Sequence, residues 1–297
     1  MPVTRRTFLR TATATGAAIA GSSLPSTAVP TSPMKARFDI SLAQWSLHRM
    51  LGKKELDHLD FPKFSKETFG IHAVEYVNSF FKSHDGTYLK ELKTRTGNEG
   101  IRNVLIMCDG EGALGAKTKE GRAKTVANHQ KWLEAAAFLG CHSIRVNAGG
   151  PGSREELAKQ VTEGLHALST AAKPYKLNVI VENHGGLSSD GAWLAGVLKS
   201  VNLPNCGALP DFGNFGSYDR YQGITDLMPY AKGVSAKSHG FDDKGNETST
   251  DFLKAMKLVA ESKYQGYIGV EYEGNQLSEV DGILATKKLL QRCFASL

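Results

Sequence analysis

A chain of 297 residues, 41% hydrophobic and 22% charged, can bury one large α/β core or two small ones. Its formal charge of +6, from 36 basic against 30 acidic residues, is spread without a basic run or an aromatic-interleaved patch, which argues against a nucleic-acid partner. Cys108, Cys141, Cys206 and Cys293 stand singly with no C-x-x-C spacing, so a zinc ribbon and a thioredoxin-like site are excluded and buried, unpaired thiols are expected.

The chain begins with "TRRTFLR" (4–10), a weakly apolar Ala/Thr/Gly-rich run and a small-x-small site ending at Ala28. Arg5-Arg6 followed by Phe8-Leu9 resembles a twin-arginine export signal, which implies a leader over 1–28, a linker over 29–35 and a folded domain over 36–297. The apolar run is too short and too polar for a stable membrane span. The resemblance further implies the twin-arginine translocation machinery as a partner, a periplasmic or otherwise extracytoplasmic destination, and cargo that folds before export. A metal would then be inserted in the cytoplasm, where availability decides as much as affinity. Arg5, Arg6 and Arg10 leave with the leader, which carries no acid, so the mature excess of positive charge is half the formal one.

From residue 36 onward, short β-branched runs alternate with longer segments of helical spacing. The strand candidates are 38–46, 71–77, 102–108, 142–148, 177–183, 206–212, 233–239 and 266–272. Between them, 154–173 carries Leu157, Val161, Leu165 and Leu168 at intervals of three or four, so one face is apolar. The segment 121–140 ends on Gly140, a helix-stopping residue, and 279–297 reads as a closing helix. The segment 217–231 is the least regular. Eight βα units in this length predict a (β/α)8 TIM barrel. A doubly wound open sheet is the alternative, but no G-x-G-x-x-G follows the first strand, and "GGPGS" (149–153) lacks the Gly-Lys-Ser/Thr of a P-loop.

In such a barrel the strands carry chemistry at their C-terminal ends, and inward residues recur with period two. The last four strands end in "VIVENHGG", "ALPDFGN", "SAKSHG" and "IGVEYEG". They place Glu182, Asp211, His239 and Glu271 at successive tips, each about thirty residues from the next, or one βα unit. Three carboxylates and an imidazole make a mixed O/N site, suited to Mn²⁺, Co²⁺, Mg²⁺ or Zn²⁺ rather than copper or an iron–sulfur cluster. Lys237 shares a strand face with His239, so it points into the same cavity or forms a salt bridge with a neighbouring carboxylate.

Those four positions, on "VIVENHGG", "LPDFGNF", "VSAKSHGFD" and "GYIGVEYEG", resemble the xylose isomerase-like TIM barrels described as sugar phosphate isomerases/epimerases. The resemblance covers the chain from about residue 36 and implies that Glu182, Asp211, His239 and Glu271 bind one divalent metal, Mn²⁺ first, and that, as in the family's epimerase branch, the two glutamates also exchange a proton. Proton abstraction beside a sugar carbonyl gives an enediolate whose charge a cation stabilises, so the residue types match the chemistry. Glu182 and Glu271 are then the catalytic acid/base pair, and Lys237 a fixed positive charge for the developing oxyanion. The sugar 3-epimerases of this family carry a histidine shortly after the strand-six aspartate, where this chain has Asn214, which can bond a hydroxyl but carries no charge. His184 is a substrate contact and a further candidate acid/base, or a group holding Glu182. Trp45 could stack on a sugar face, and Asn147 ends strand four beside the cavity; Glu75 is expected to play a hydrogen-bonded structural part.

Export argues for a free sugar, keto-sugar or sugar derivative over a phosphorylated one. Two alternatives stand beside the isomerase: an exported keto-glycoside lyase or hydrolase on the same metal site, and a non-catalytic sugar-binding barrel. A trinuclear-zinc nuclease of the same superfamily would need more histidines at strand ends than the chain has. Assembly as a homo-oligomer is compatible with the sequence.

Overall fold

The computed structural model describes residues 38–297; the expected leader and linker lie outside them. The first strand, β1 (Asp39–Ala43), is followed by α1 (His48–Gly52) and α2 (Phe61–Phe69). Then βα units succeed one another: β2 (Ala73–Val77) and α3 (Gly86–Glu99), β3 (Arg102–Met107) and α4 (Lys119–Leu139), β4 (Ser143–Asn147) and α5 (Arg154–Ala172), β5 (Asn178–Glu182) and α6 (Gly191–Val201). The last three are β6 (Cys206–Leu209) and α7 (Arg220–Leu227), β7 (Val234–Ser238) and α8 (Phe252–Glu261), β8 (Tyr267–Tyr272) and α9 (Glu279–Ala295).

All strand pairs are parallel, in the order β6-β5-β4-β3-β2-β1-β8-β7. The ends of that order meet: bridges join Ala208 to Ala231 and Asp211 to Ser235, and the Ser235 amide donates to the Pro210 carbonyl at 2.9 Å. The expected barrel is therefore the observed fold. The expected sixth strand ran to 212, whereas β6 stops at Leu209, because Pro210 has no N–H to continue a ladder.

The helices form where the sequence signals them. Ser153 caps α5 in a capping box with Glu156, and Leu157, Val161, Leu165 and Leu168 are buried along one face. Gly140 ends α4 in the left-handed region at φ 80°. The irregular sixth unit carries the eight-residue α7, followed by a 3-10 turn over Met228–Tyr230. Alternation along each strand separates two environments. Outward residues such as Val74, Tyr76, Val181 and Val270 join the main apolar core under the helices. The inward set mixes Ala43, Ala73, Val77, Ile180 and Leu209 with buried Ser41, Glu75, Arg145, Lys237 and Glu271. All four cysteines are buried and free, as expected. No helix among the described residues is long and apolar enough to cross a membrane.

Candidate active site

Glu182 is the last residue of β5, Asp211 follows the Pro210 break, Lys237 lies one residue before the end of β7, and Glu271 one before the end of β8. Each of Glu182, Asp211 and Glu271 offers an oxygen, and these lie within 4.8 Å of one another in a buried cluster. The register explains the meeting: Lys237 pairs with Glu271 across β7–β8, and Asn147 with Glu182 across β4–β5. Asp211 is aimed by its neighbours. Its amide donates to Asn183 Oδ1 at 2.7 Å, its carbonyl accepts from Asn183 Nδ2 at 2.9 Å, and its Oδ1 accepts from the Gly213 amide at 2.7 Å.

Two cations answer these acids. Lys237 Nζ lies 3.2 Å from Glu271 Oε1, 3.1 Å from Glu273 Oε2 and 3.6 Å from Asp211 Oδ2. The salt-bridge alternative for Lys237 is thus realised inside the cavity itself. Arg145, buried in β4, has Nε 2.9 Å from Glu182 Oε2 and donates through Nη1 to Asp109 Oδ1 at 2.7 Å. The Arg145–Glu182 approach lacks hydrogen-bond alignment, so it is attraction between charges, and Glu182 Oε2 is left without a hydrogen-bond partner.

Burial pushes the Glu182 carboxyl up to about 7, against the pull of Arg145 and with the help of Glu271. Burial does the same to Asp211, again to about 7, with Lys237 opposing and Glu271 and Glu182 adding to it. For Glu271 burial also acts upward, but Lys237, the Ser235 hydroxyl (Oγ donating to Oε2 at 2.8 Å) and Arg145 outweigh it and hold this carboxyl below its usual range. Among the carboxylates around it, Lys237 stays firmly protonated despite its burial.

The geometry fits a bound cation. Glu182 Oε2 and Asp211 Oδ2 are buried without hydrogen-bond partners, and hard oxygen donors at this spacing suit a hard divalent ion. His239 stands apart from that set. It lies just past β7, its side chain is 47% exposed, and its Nε2 is 3.9 Å from Glu273 Oε2.

The remaining sequence candidates are distributed around the cluster. Asn214 Nδ2 donates to Glu182 Oε1 at 3.0 Å. Asn147 Nδ2 donates to Asp109 Oδ1 at 2.7 Å, extending the Arg145 pair to the rim. Trp45 donates Nε1 to Glu273 Oε1 and stacks on His48 at 4.9 Å between ring centroids, forming an aromatic wall at the mouth. His184 is exposed on the loop after β5, where its amide donates to Ser188 Oγ at 2.9 Å. Glu75 lies inside the barrel, its Oε1 accepting from Ser41 Oγ at 2.5 Å. Sequence reasoning missed Arg145, Asn183 and Ser235. The signal for Arg145 was present: it precedes Asn147 by two, so it shares the inward face of β4.

Residues 65–293 match the family described as xylose isomerase-like TIM barrel. The alpha subunit of a C-glycoside deglycosidase from Arthrobacter globiformis is 26% identical over 151 residues, which is 49% of this chain and 39% of that protein, so the match spans about two fifths of the relative's length. A D-tagatose 3-epimerase-like protein superposes with a TM-score of 0.70 at 17% identity, covering 87% of this chain and 98% of its own. A xylose isomerase-like TIM barrel protein from Mycobacterium smegmatis, solved in complex with magnesium, gives 0.66 at 15% identity over 88% of this chain and 98% of its own.

Proposed function

Because the chain belongs to the xylose isomerase-like TIM barrel family, we propose that it is a divalent-metal-dependent isomerase or epimerase of a free sugar, keto-sugar or sugar derivative. The observation that carries this reading is the buried cluster of Glu182, Asp211 and Glu271, with two oxygens lacking hydrogen-bond partners. These three residues would hold the ion, with His239 joining from the rim. Mn²⁺ is the first candidate, and the magnesium complex of the Mycobacterium smegmatis protein supports a divalent ion in this fold. When bound, the ion would polarise the substrate carbonyl and stabilise the negative charge of the enediolate.

The rest falls to side chains. Glu182 and Glu271, on strands separated by β6 and β7 around the barrel, would take a proton from one face of the carbon beside the carbonyl and return one to the other. Asn214 and Arg145 hold the Glu182 carboxyl in place. Lys237 would place a positive charge beside the developing oxyanion, and Trp45 would cover one face of the sugar ring. The twin-arginine leader would send the folded protein out of the cytoplasm, which favours unphosphorylated substrates.

A second reading shares the first step. Enolisation followed by loss of a substituent from the β-carbon would make the protein a keto-glycoside lyase, and the similarity to the deglycosidase subunit supports it. Incubation with free sugars and keto-glycosides in D₂O with Mn²⁺ separates the two: epimerisation with deuterium at the reacting carbon supports the isomerase, and a released aglycone supports the lyase. Glu182→Gln and Glu271→Gln should each lose about 10²–10⁴-fold in rate while keeping most of the metal. No deuterium entry, together with no isotope effect from substrate labelled at that carbon when chemistry limits the rate, would sink enolisation.

A further inference from the structure

The carboxylate cluster already holds a cation of the chain's own. Lys237 Nζ is within 3.6 Å of Asp211, Glu271 and Glu273, and its side chain is only 2% exposed. The fold makes room for the stem: a Cβ on Gly213 would lie 3.1 Å from both Cγ and Cδ of Lys237, so an unsubstituted residue keeps that channel open. Of the three carboxylates, Asp211 and Glu271 belong to the cluster with Glu182, whereas Glu273 stands at the mouth, 27% exposed and tied to Trp45 Nε1. The ammonium therefore bridges the inner cluster and an outer anchor.

We propose that Lys237 is a tethered counter-cation of the carboxylate cluster, and that a divalent ion enters by displacing its ammonium from Asp211 and Glu271 onto Glu273. Two cations drawing on the same oxygens repel each other, and the lysine has three rotatable donors on a flexible stem, so it can retreat without losing every partner. The device keeps the acids from repelling one another before metal arrives and sets how tightly metal must bind to evict the lysine. It rests on the reading that this cluster is the metal site.

The test is Mn²⁺ titration by calorimetry of the purified full chain after chelator treatment. Lys237→Met keeps a stem of similar length without the charge, and it should bind Mn²⁺ about tenfold tighter or more, a ratio equal to about 1.4 kcal/mol. Lys237→Gln is the substitute should the Met variant not fold. Glu273→Gln should weaken Mn²⁺ binding several-fold in the native background and leave it nearly unchanged once Lys237 is replaced, because the anchor then has nothing to receive. A folded Lys237 variant that binds Mn²⁺ no tighter than the native chain overturns the proposal, as does a Glu273→Gln effect of equal size in both backgrounds. If neither native nor variant chain binds the ion, the metal reading falls with it. If the native chain binds Mn²⁺ and the Lys237 variant binds it tighter, yet no carbohydrate is turned over, the displacement stands and the isomerase reading alone fails.

Discussion

Glu75 gives the sharpest stability test, because it is fully buried inside the barrel away from the strand tips. Its Oε1 accepts from Ser41 Oγ, its Oε2 has no partner, and Gly269 faces it so closely that a Cβ there would lie 2.9 Å from both oxygens. Burial, opposed by the Ser41 bond and reinforced by Glu271 and Glu182, raises its carboxyl from 4.5 to about 7. A folded state that holds the proton more tightly than the unfolded chain gains stability that is complete below about pH 4.5 and is lost as pH rises through about 7. Every tenfold gain in proton affinity on folding is worth about 1.4 kcal/mol, so the loss across that window is on the order of 3 kcal/mol at most. Glu75→Gln cannot ionise, yet it can still accept the Ser41 bond. Metal-free native protein and the Gln variant should therefore be about equally stable near pH 5, and the variant should be more stable by about 1–3 kcal/mol at pH 8. Urea unfolding of both proteins at pH 5, 6, 7 and 8 measures the difference directly. A variant whose curve runs parallel to the native one at every pH would refute the reasoning, because the carboxyl would then be doing no titration of its own.

Two other expectations follow from charge. Glu182 and Asp211 are both raised to about 7, so metal uptake near pH 6 should release protons and apparent Mn²⁺ affinity should climb until about pH 8; calorimetry in buffers of different ionisation enthalpy counts the protons, and a count of zero at pH 6 would mean that neither carboxyl holds its proton there. Replacing Arg5 and Arg6 together by Lys should leave activity and stability unchanged while precursor accumulates in the cytoplasm, as cell fractionation would show; normal export of that variant would remove the leader reading.

Much of the site was legible because strand geometry is periodic. Glu182, Lys237 and Glu271 fall inside regular strands, where period two alone decides which way a side chain points. Asp211 was legible from its place after the strand, although Asn183 and the Gly213 amide, not the ladder, fix its direction. His239 shows where the rule ends. β7 stops at Ser238, and the next turn is organised by Glu247, whose Oε1 accepts from the amides of His239 at 3.2 Å and Gly240 at 3.4 Å. A carboxylate eight residues downstream sets that backbone, and no local pattern announces it. Arg145 escaped for the opposite reason, since it sits not at a strand tip but at the inward position two residues back.

The inward charges also explain why this barrel can be polar at its centre. Gly269 leaves room for the Glu75 carboxylate, and the barrel interior that holds Glu75, Glu182 and Glu271 also holds the apolar Val77, Ile180 and Leu209. Unneutralised, such a group of carboxylates would be costly in a low-dielectric interior. The structure offers two local remedies, the protons that Glu182 and Asp211 hold on to and the ammonium and guanidinium of Lys237 and Arg145. They are not equivalent. Arg145 is fastened at Asp109 on its far side and supports Glu182, whereas Lys237 also contacts Glu273 at the mouth. If the ammonium moves aside as proposed, a divalent ion would replace it and the protons but leave Arg145 in place. Removing Lys237 would free Asp211 and Glu271 of a competitor, whereas removing Arg145 would let Glu182 hold its proton more tightly and lose its support, so Mn²⁺ titration should show the two substitutions moving affinity in opposite directions.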